Sequence, residues 1–180
     1  MCIVKGIEYF DVLDENGNKT GKIKTKEQII KDRNFYRIVN LWIINPKTKQ
    51  ILIQKRSSNK DVSPNKWDLT AGGHVDAGET SLEAIIRETK EELGIDISND
   101  KILKAFEVKH DKEKRNFVDI YLLEKDIDIK EITLQPSEIS DIKYFSLNEL
   151  IDAHNSKDSN FVNHSFFPDL LKYLKKFYDI

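Results

Sequence analysis

The sequence predicts an α/β fold in which a mixed sheet carries helices on both faces. Strand-patterned and helix-patterned segments alternate along the chain, which favours a layered sheet over separate all-α and all-β parts. One long amphipathic helix stands in the middle, and the segments around it read as strands bounded by turn residues. No internal repeat or low-complexity linker divides the 180 residues, a length that suits one domain with short extensions.

The chain opens with an expected hairpin. Residues 9–13 look extended, Asp14, Glu15, Asn16 and Gly17 carry turn chemistry, and residues 22–24 return. A short helix follows over 26–31. Residues 36–44 form a strong strand, Asn45, Pro46 and Lys47 a turn, and residues 51–55 its antiparallel partner. Residues 57–66 form a polar loop ending at Trp67, and the long helix covers 81–93. Strands at 101–109 and 117–124 flank a charged turn at 111–116. A strand at 142–145 and helices at 148–152 and 169–177 complete the chain.

Composition narrows the class. Apolar residues make up 39% and charged residues 33%, the balance of a water-soluble globular protein able to bury a core. The single Cys2 leaves no internal disulfide and fits a reducing cytoplasm. The opening residues lack a secretory pattern, and no apolar run reaches the ~20 residues that span a bilayer. A net charge of -2 gives no electrostatic reason to expect nucleic-acid binding. Lys172, Lys175 and Lys176 read as the solvated side of a terminal helix, and His110, His154 and His164 as ordinary surface or packing residues.

The stretch 72–95 carries the chemistry. Thr80 and Glu83 form a capping box, and Gly94 sits where a left-handed helix terminator belongs. Leu82, Ile85, Ile86, Thr89 and Leu93 share one side and should pack on the sheet. Glu88, Glu91 and Glu92 fall on an adjoining stripe, where like charges destabilise a helix by a few tenths of a kcal/mol per pair. Lys90 points elsewhere, while Arg87 is placed to pair with Glu83 or Glu91. A divalent cation would resolve the repulsion, and oxygen-only ligands suit Mg²⁺ or Mn²⁺. The alternative is a solvated acidic helix face. Gly72, Gly73 and Gly78 just before the helix tip the balance, because they let main chain approach a metal or phosphate closely.

These residues resemble the Nudix box: Gly, five residues, Glu, seven residues, Arg-Glu, an aliphatic, any residue, Glu-Glu, any residue, Gly and an aliphatic. Gly73, Glu79, Arg87, Glu88, Glu91, Glu92, Gly94 and Ile95 stand at that spacing. Thr89 departs from the aliphatic position, and its hydroxyl can bond a carbonyl one turn back. The resemblance runs from about Tyr36 to Leu150, through Gln54-Lys55-Arg56, Trp67 and Ser137-Glu138-Ile139. It implies a Nudix-type α/β/α sandwich with the catalytic helix packed on a mixed sheet. The expected division is an N-terminal hairpin extension at 1–35, a hydrolase domain at 36–150, and a helical extension at 151–180 within the same globule.

By resemblance, Glu88, Glu91 and Glu92 bind the catalytic divalent ions with the Gly73 carbonyl. Arg87 orients a glutamate, and Glu79 supports the loop. Glu88 is the first choice of general base, with Glu138 as a further ligand or base. Lys55, Arg56, Gly72, Gly73 and His74 are the candidates for substrate contact, although Lys55 and Arg56 also read as plain surface charge. The implied reaction is hydrolysis of a diphosphate linkage in a nucleoside diphosphate derivative or similar small molecule, with a homodimer as one assembly. The stretch 67–79 also resembles isopentenyl diphosphate isomerases, but their catalytic cysteine falls at Gly72 and their metal-binding histidine at Tyr36. A third reading is a Nudix-fold protein that binds a ligand without cleaving it; such proteins usually lose box glutamates, and this chain keeps them.

Overall fold

The computed structural model describes residues 7–112 and 114–177. Cys2 lies outside them. Strands β1 (Tyr9–Leu13) and β2 (Lys19–Thr25) form an antiparallel hairpin, and α1 (Lys26–Lys31) follows, capped by Thr25. The central strand β3 (Tyr36–Ile44) is followed by β4 (Ile51–Arg56), β5 (Ala71–His74) and helix α2 (Ser81–Leu93). Then come β6 (Leu103–His110), β7 (Asn116–Glu124), a 3-10 turn at Ile129–Glu131, β8 (Ile139–Phe145), α3 (Leu147–Ser156) and α4 (Phe167–Phe177).

The main sheet runs β6-β7-β3-β4-β8, with β5 also paired to β3. It is mixed, because β7 lies parallel to β3 along its full length while the other pairs are antiparallel. The alternation of β3 separates two cores. Val39, Leu41 and Ile43 pack with Ala84, Ile85 and Leu93 of α2. Trp42 and Ile44 pack on the other face with Leu147, Leu150, Phe167, Leu170 and Leu174 of α3 and α4. That is the three-layer arrangement expected. The hairpin packs through Phe10 and Val12 beside Ile29 and Tyr36.

Several details differ from the sequence reading. The glycine stretch is a strand, β5, rather than a loop, and β3 changes partner along one edge to admit it. Leu41 pairs with Ala71, whereas Ile43 pairs with Leu52. Thr70 closes the fork: its Oγ1 accepts from the Ile43 amide (2.9 Å) and donates to the Leu52 carbonyl, and its own amide donates to the Leu41 carbonyl (3.0 Å). Strand β8 begins at Ile139 rather than 142, β6 begins at Leu103, and α3 spans Leu147–Ser156. Among the described residues, no helix is long and apolar enough to cross a membrane.

Candidate active site

Helix α2 presents the acidic residues because both of its ends are fixed. Thr80 Oγ1 accepts from the Glu83 amide (3.2 Å), and Glu83 accepts in return from the Thr80 amide (2.8 Å). Gly94 ends the helix at φ +69°, a conformation that costs glycine least. Ala84, Ile85, Thr89 and Leu93 are buried against the sheet, and the Thr89 hydroxyl donates to the Ile85 carbonyl (2.6 Å). Leu82, expected in the core, is exposed, and Ala84 takes its place. In the first turn of α2 it is Ser81 that meets the sheet, through the Tyr121 hydroxyl (2.9 Å).

Arg87 organises the loop before the helix. Its Nε and Nη2 donate to the two Glu79 oxygens (3.0 Å each), Nη2 also donates to the His74 carbonyl (3.0 Å), and Nη1 donates to Glu88 Oε1 (2.9 Å). Glu91 stands 3.6 Å from the same guanidinium. Of the two partners the sequence offered, Arg87 takes Glu91 and not Glu83, because Glu83 is committed to the cap. Two-point contact with Glu79 and a single bond to Glu88 use the planar fork of arginine in a way lysine cannot copy.

Glycine at position 73 leaves room for the Glu88 carboxylate in its present place. A Cβ there would overlap the Glu88 carboxylate, so this carboxylate rests directly on the backbone of β5. One turn on, Glu92, on the stripe that adjoins the apolar side, is itself buried at 7% exposed. Its Oε2 accepts from the Gly72 amide (3.2 Å) and from Gln54 Nε2 (3.4 Å). Burial, with repulsion from Glu88 and then Glu138, pushes its carboxyl up to about 8. Glu138 therefore stands within electrostatic reach of Glu92, and it forms an ion pair with Lys60. The Glu138 carbonyl also accepts from the Ser57 amide (2.8 Å), which ties the loop at 57–66 to the start of β8.

The remaining candidates are placed differently. The His74 ring clusters with Phe10 (4.8 Å between centroids) and Tyr36 (5.8 Å), which also touch each other (5.9 Å), joining the hairpin to β5. Arg56 Nε donates to the Val62 carbonyl (3.0 Å) and Nη1 to Asp68 (3.2 Å), so it braces its own loop. Lys55 lies over the Trp67 ring at 5.7 Å. His164 is more than a surface histidine: its Nε2 is 2.6 Å from the buried Asp68. Sequence reasoning passed over Lys60 and the role of Gln54. A polar side chain inside the apolar run of β4 was a usable signal for Gln54; nothing in a polar loop marks Lys60.

Among the described residues, no three His, Cys, Asp or Glu side chains already converge as a ligand set. The chemistry of the donors nonetheless fits a hard divalent ion. Glu88, Glu91, Glu92 and Glu138 offer only oxygens, glycine backbone lies against Glu88, and Glu92 is buried with neutral partners at hydrogen-bond distance.

The NUDIX domain family matches residues 35–167. An uncharacterized Nudix hydrolase of Listeria innocua is 33% identical over 168 residues, covering 92% of this chain and 95% of that protein. Nudix hydrolase 3 of Arabidopsis thaliana is 37% identical over 164 residues, but this chain spans 86% of its own length and only 21% of that protein's. Half of the chain, 51%, also matches an isopentenyl-diphosphate Delta-isomerase of Citrobacter koseri at 33% identity, covering 50% of that enzyme. The crystal structure of a Deinococcus radiodurans protein superposes with a TM-score of 0.73 at 25% identity, covering 95% of this chain and 99% of that one.

Proposed function

This chain belongs to the Nudix family of hydrolases, and from that premise we propose that it cleaves the diphosphate linkage of a nucleoside diphosphate derivative or a comparable small organic diphosphate. The observation that carries the reading is the buried Glu92, held by the Gly72 amide and Gln54 on the helix that also carries Glu88 and Glu91, a carboxyl whose burial and repulsion from Glu88 and Glu138 a divalent ion would relieve. Glu88, Glu91, Glu92 and the Gly73 carbonyl would hold Mg²⁺, or Mn²⁺ in its place. When bound, such ions neutralise the diphosphate, acidify water and stabilise charge on the leaving phosphate.

The chain's own groups do the rest. Arg87 holds Glu88 at the Gly73 backbone and, through Glu79, fixes the loop between β5 and α2. The Gly72 amide and Gln54 orient Glu92. Glu88 is our first assignment for accepting the proton of the attacking water, with Glu138 as the other carboxylate in the cluster. Lys60, paired with Glu138, adds a cation at the edge of the cluster. The division into a catalytic unit at 36–150 with additions at 1–35 and 151–180 belongs to the same proposal.

The isomerase reading lacks its proton-transfer group, since Gly72 occupies the cysteine position. The test is incubation with Mg²⁺ and a panel of nucleoside diphosphate sugars, dinucleotides, nucleoside triphosphates and prenyl diphosphates, with products resolved by ion exchange. Cleavage that is lost in both Glu91→Gln and Glu92→Gln supports the proposal. Tight binding of one compound without turnover would replace it with the non-catalytic reading.

A further inference from the structure

Arg87 and Lys60 both bring positive charge to the acidic cluster, but they are held differently. Arg87 is gripped at once by Glu79, Glu88 and the His74 carbonyl. Lys60 reaches in from the loop at 57–66 on a flexible stem and pairs with Glu138. The two side chains are 26% and 11% exposed, so the carboxylate is sheltered and the ammonium stands on the solvent side. The same ammonium acts on Glu92, whose carboxyl its charge lowers against the larger effects that raise it.

The backbone around this pair is fixed without it. The Gln135 amide donates to the Glu92 carbonyl (3.0 Å) and the Glu138 amide to the Gln135 carbonyl (2.9 Å), which sets Glu138 beside the end of α2. The loop is tied by the Ser57 amide to the Glu138 carbonyl (2.8 Å) and by the Asn65 amide to the Arg56 carbonyl (3.2 Å). Arg56 Nε braces its middle at the Val62 carbonyl (3.0 Å). None of these bonds uses the Lys60 side chain, so the ammonium can leave Glu138 by rotation of its own stem while the loop stays in place. A divalent ion among Glu88, Glu92 and Glu138 would neutralise the charge that attracts Lys60, and would repel the ammonium at close range.

We propose that Lys60 is a built-in counter-ion of the cluster, which a divalent ion must displace from Glu138 as it enters. The proposal rests on the reading of the cluster as a metal site, and it adds that Lys60 opposes metal entry rather than assisting it. The ion pair thereby raises the metal concentration at which the site fills.

The test is titration of Mg²⁺ into the full chain, as wild type, Lys60→Met and Lys60→Arg, with affinity read by calorimetry. In parallel, the ¹⁵N signal of the Lys60 ammonium, assigned by its loss from Lys60→Met, is followed in the wild type. That signal is expected to shift along the saturation curve of Mg²⁺ binding. Lys60→Met should bind Mg²⁺ about two- to fivefold more tightly, and Lys60→Arg, which keeps the charge, no more tightly than wild type. Equal or weaker binding in Lys60→Met, or a Lys60 signal unmoved at saturation, overturns this proposal and leaves the metal site standing. Absence of Mg²⁺ binding in the wild type overturns both.

Discussion

At the scale of the residue, Glu92 decides the electrostatics of the site. Burial and its acidic neighbours raise its carboxyl from 4.5 to about 8, so the folded protein holds a proton there that the unfolded chain gives up near pH 4.5. The sign follows from linkage: this contribution to stability is complete below about pH 4.5 and is lost as pH rises toward 8. The metal-free protein should melt at a lower temperature at pH 8.5 than at pH 6, and Glu92→Gln should reduce that difference. Thermal scans of both proteins in EDTA check it, and an equal pH dependence in the variant would count against a protonated Glu92. The burial itself was not legible. Helical spacing placed Glu92 on a stripe beside the apolar side, but only the fork between β3 and β4 brings Gln54 and Gly72 over it.

At the scale of the element, α2 was the most legible part of the chain, because its cap, its terminator and its apolar period agree. The strand β5 was the least legible. Four residues with two glycines carry almost no strand propensity, and they become a strand only because the free edge of β3 recruits them. This pairing sets the Gly73 backbone against Glu88, and Arg87 locks it. Arg87→Lys should therefore leave the fold intact and weaken metal affinity or turnover about 10–100-fold, since a single ammonium cannot grip Glu79 twice and also reach Glu88. Metal titration and steady-state kinetics read this directly; near wild-type values in both would show that the fork is dispensable.

At the scale of the whole molecule, the two faces of the sheet have separate tasks. The α2 face holds the acidic cluster, and the other face carries α3, α4 and the buried Asp68. Burial alone would raise the Asp68 carboxyl, but hydrogen bonding to His164, with help from the Leu69 amide and the charge of Arg56, brings it below the ordinary value. His164→Ala should cost about 1–3 kcal/mol in urea unfolding while leaving turnover at 25 °C near wild type. A large loss of turnover without a loss of stability would contradict this separation. The layered architecture was readable from alternating segments, whereas long-range clasps such as Asp68–His164 and Lys60–Glu138 join residues far apart in sequence. No local pattern announces them.

The most direct test of the central claim, that the acidic face of α2 is a divalent-cation site and not a solvated stripe, is calorimetric titration of Mn²⁺ into wild type and Glu92→Gln at pH 7. Two buffers of different ionisation enthalpy report the protons released. The account predicts binding to wild type with release of about one proton, because a ligating carboxylate must give its proton up, and weaker binding without that release in the variant. Equal affinity and equal proton release in the two proteins would contradict it.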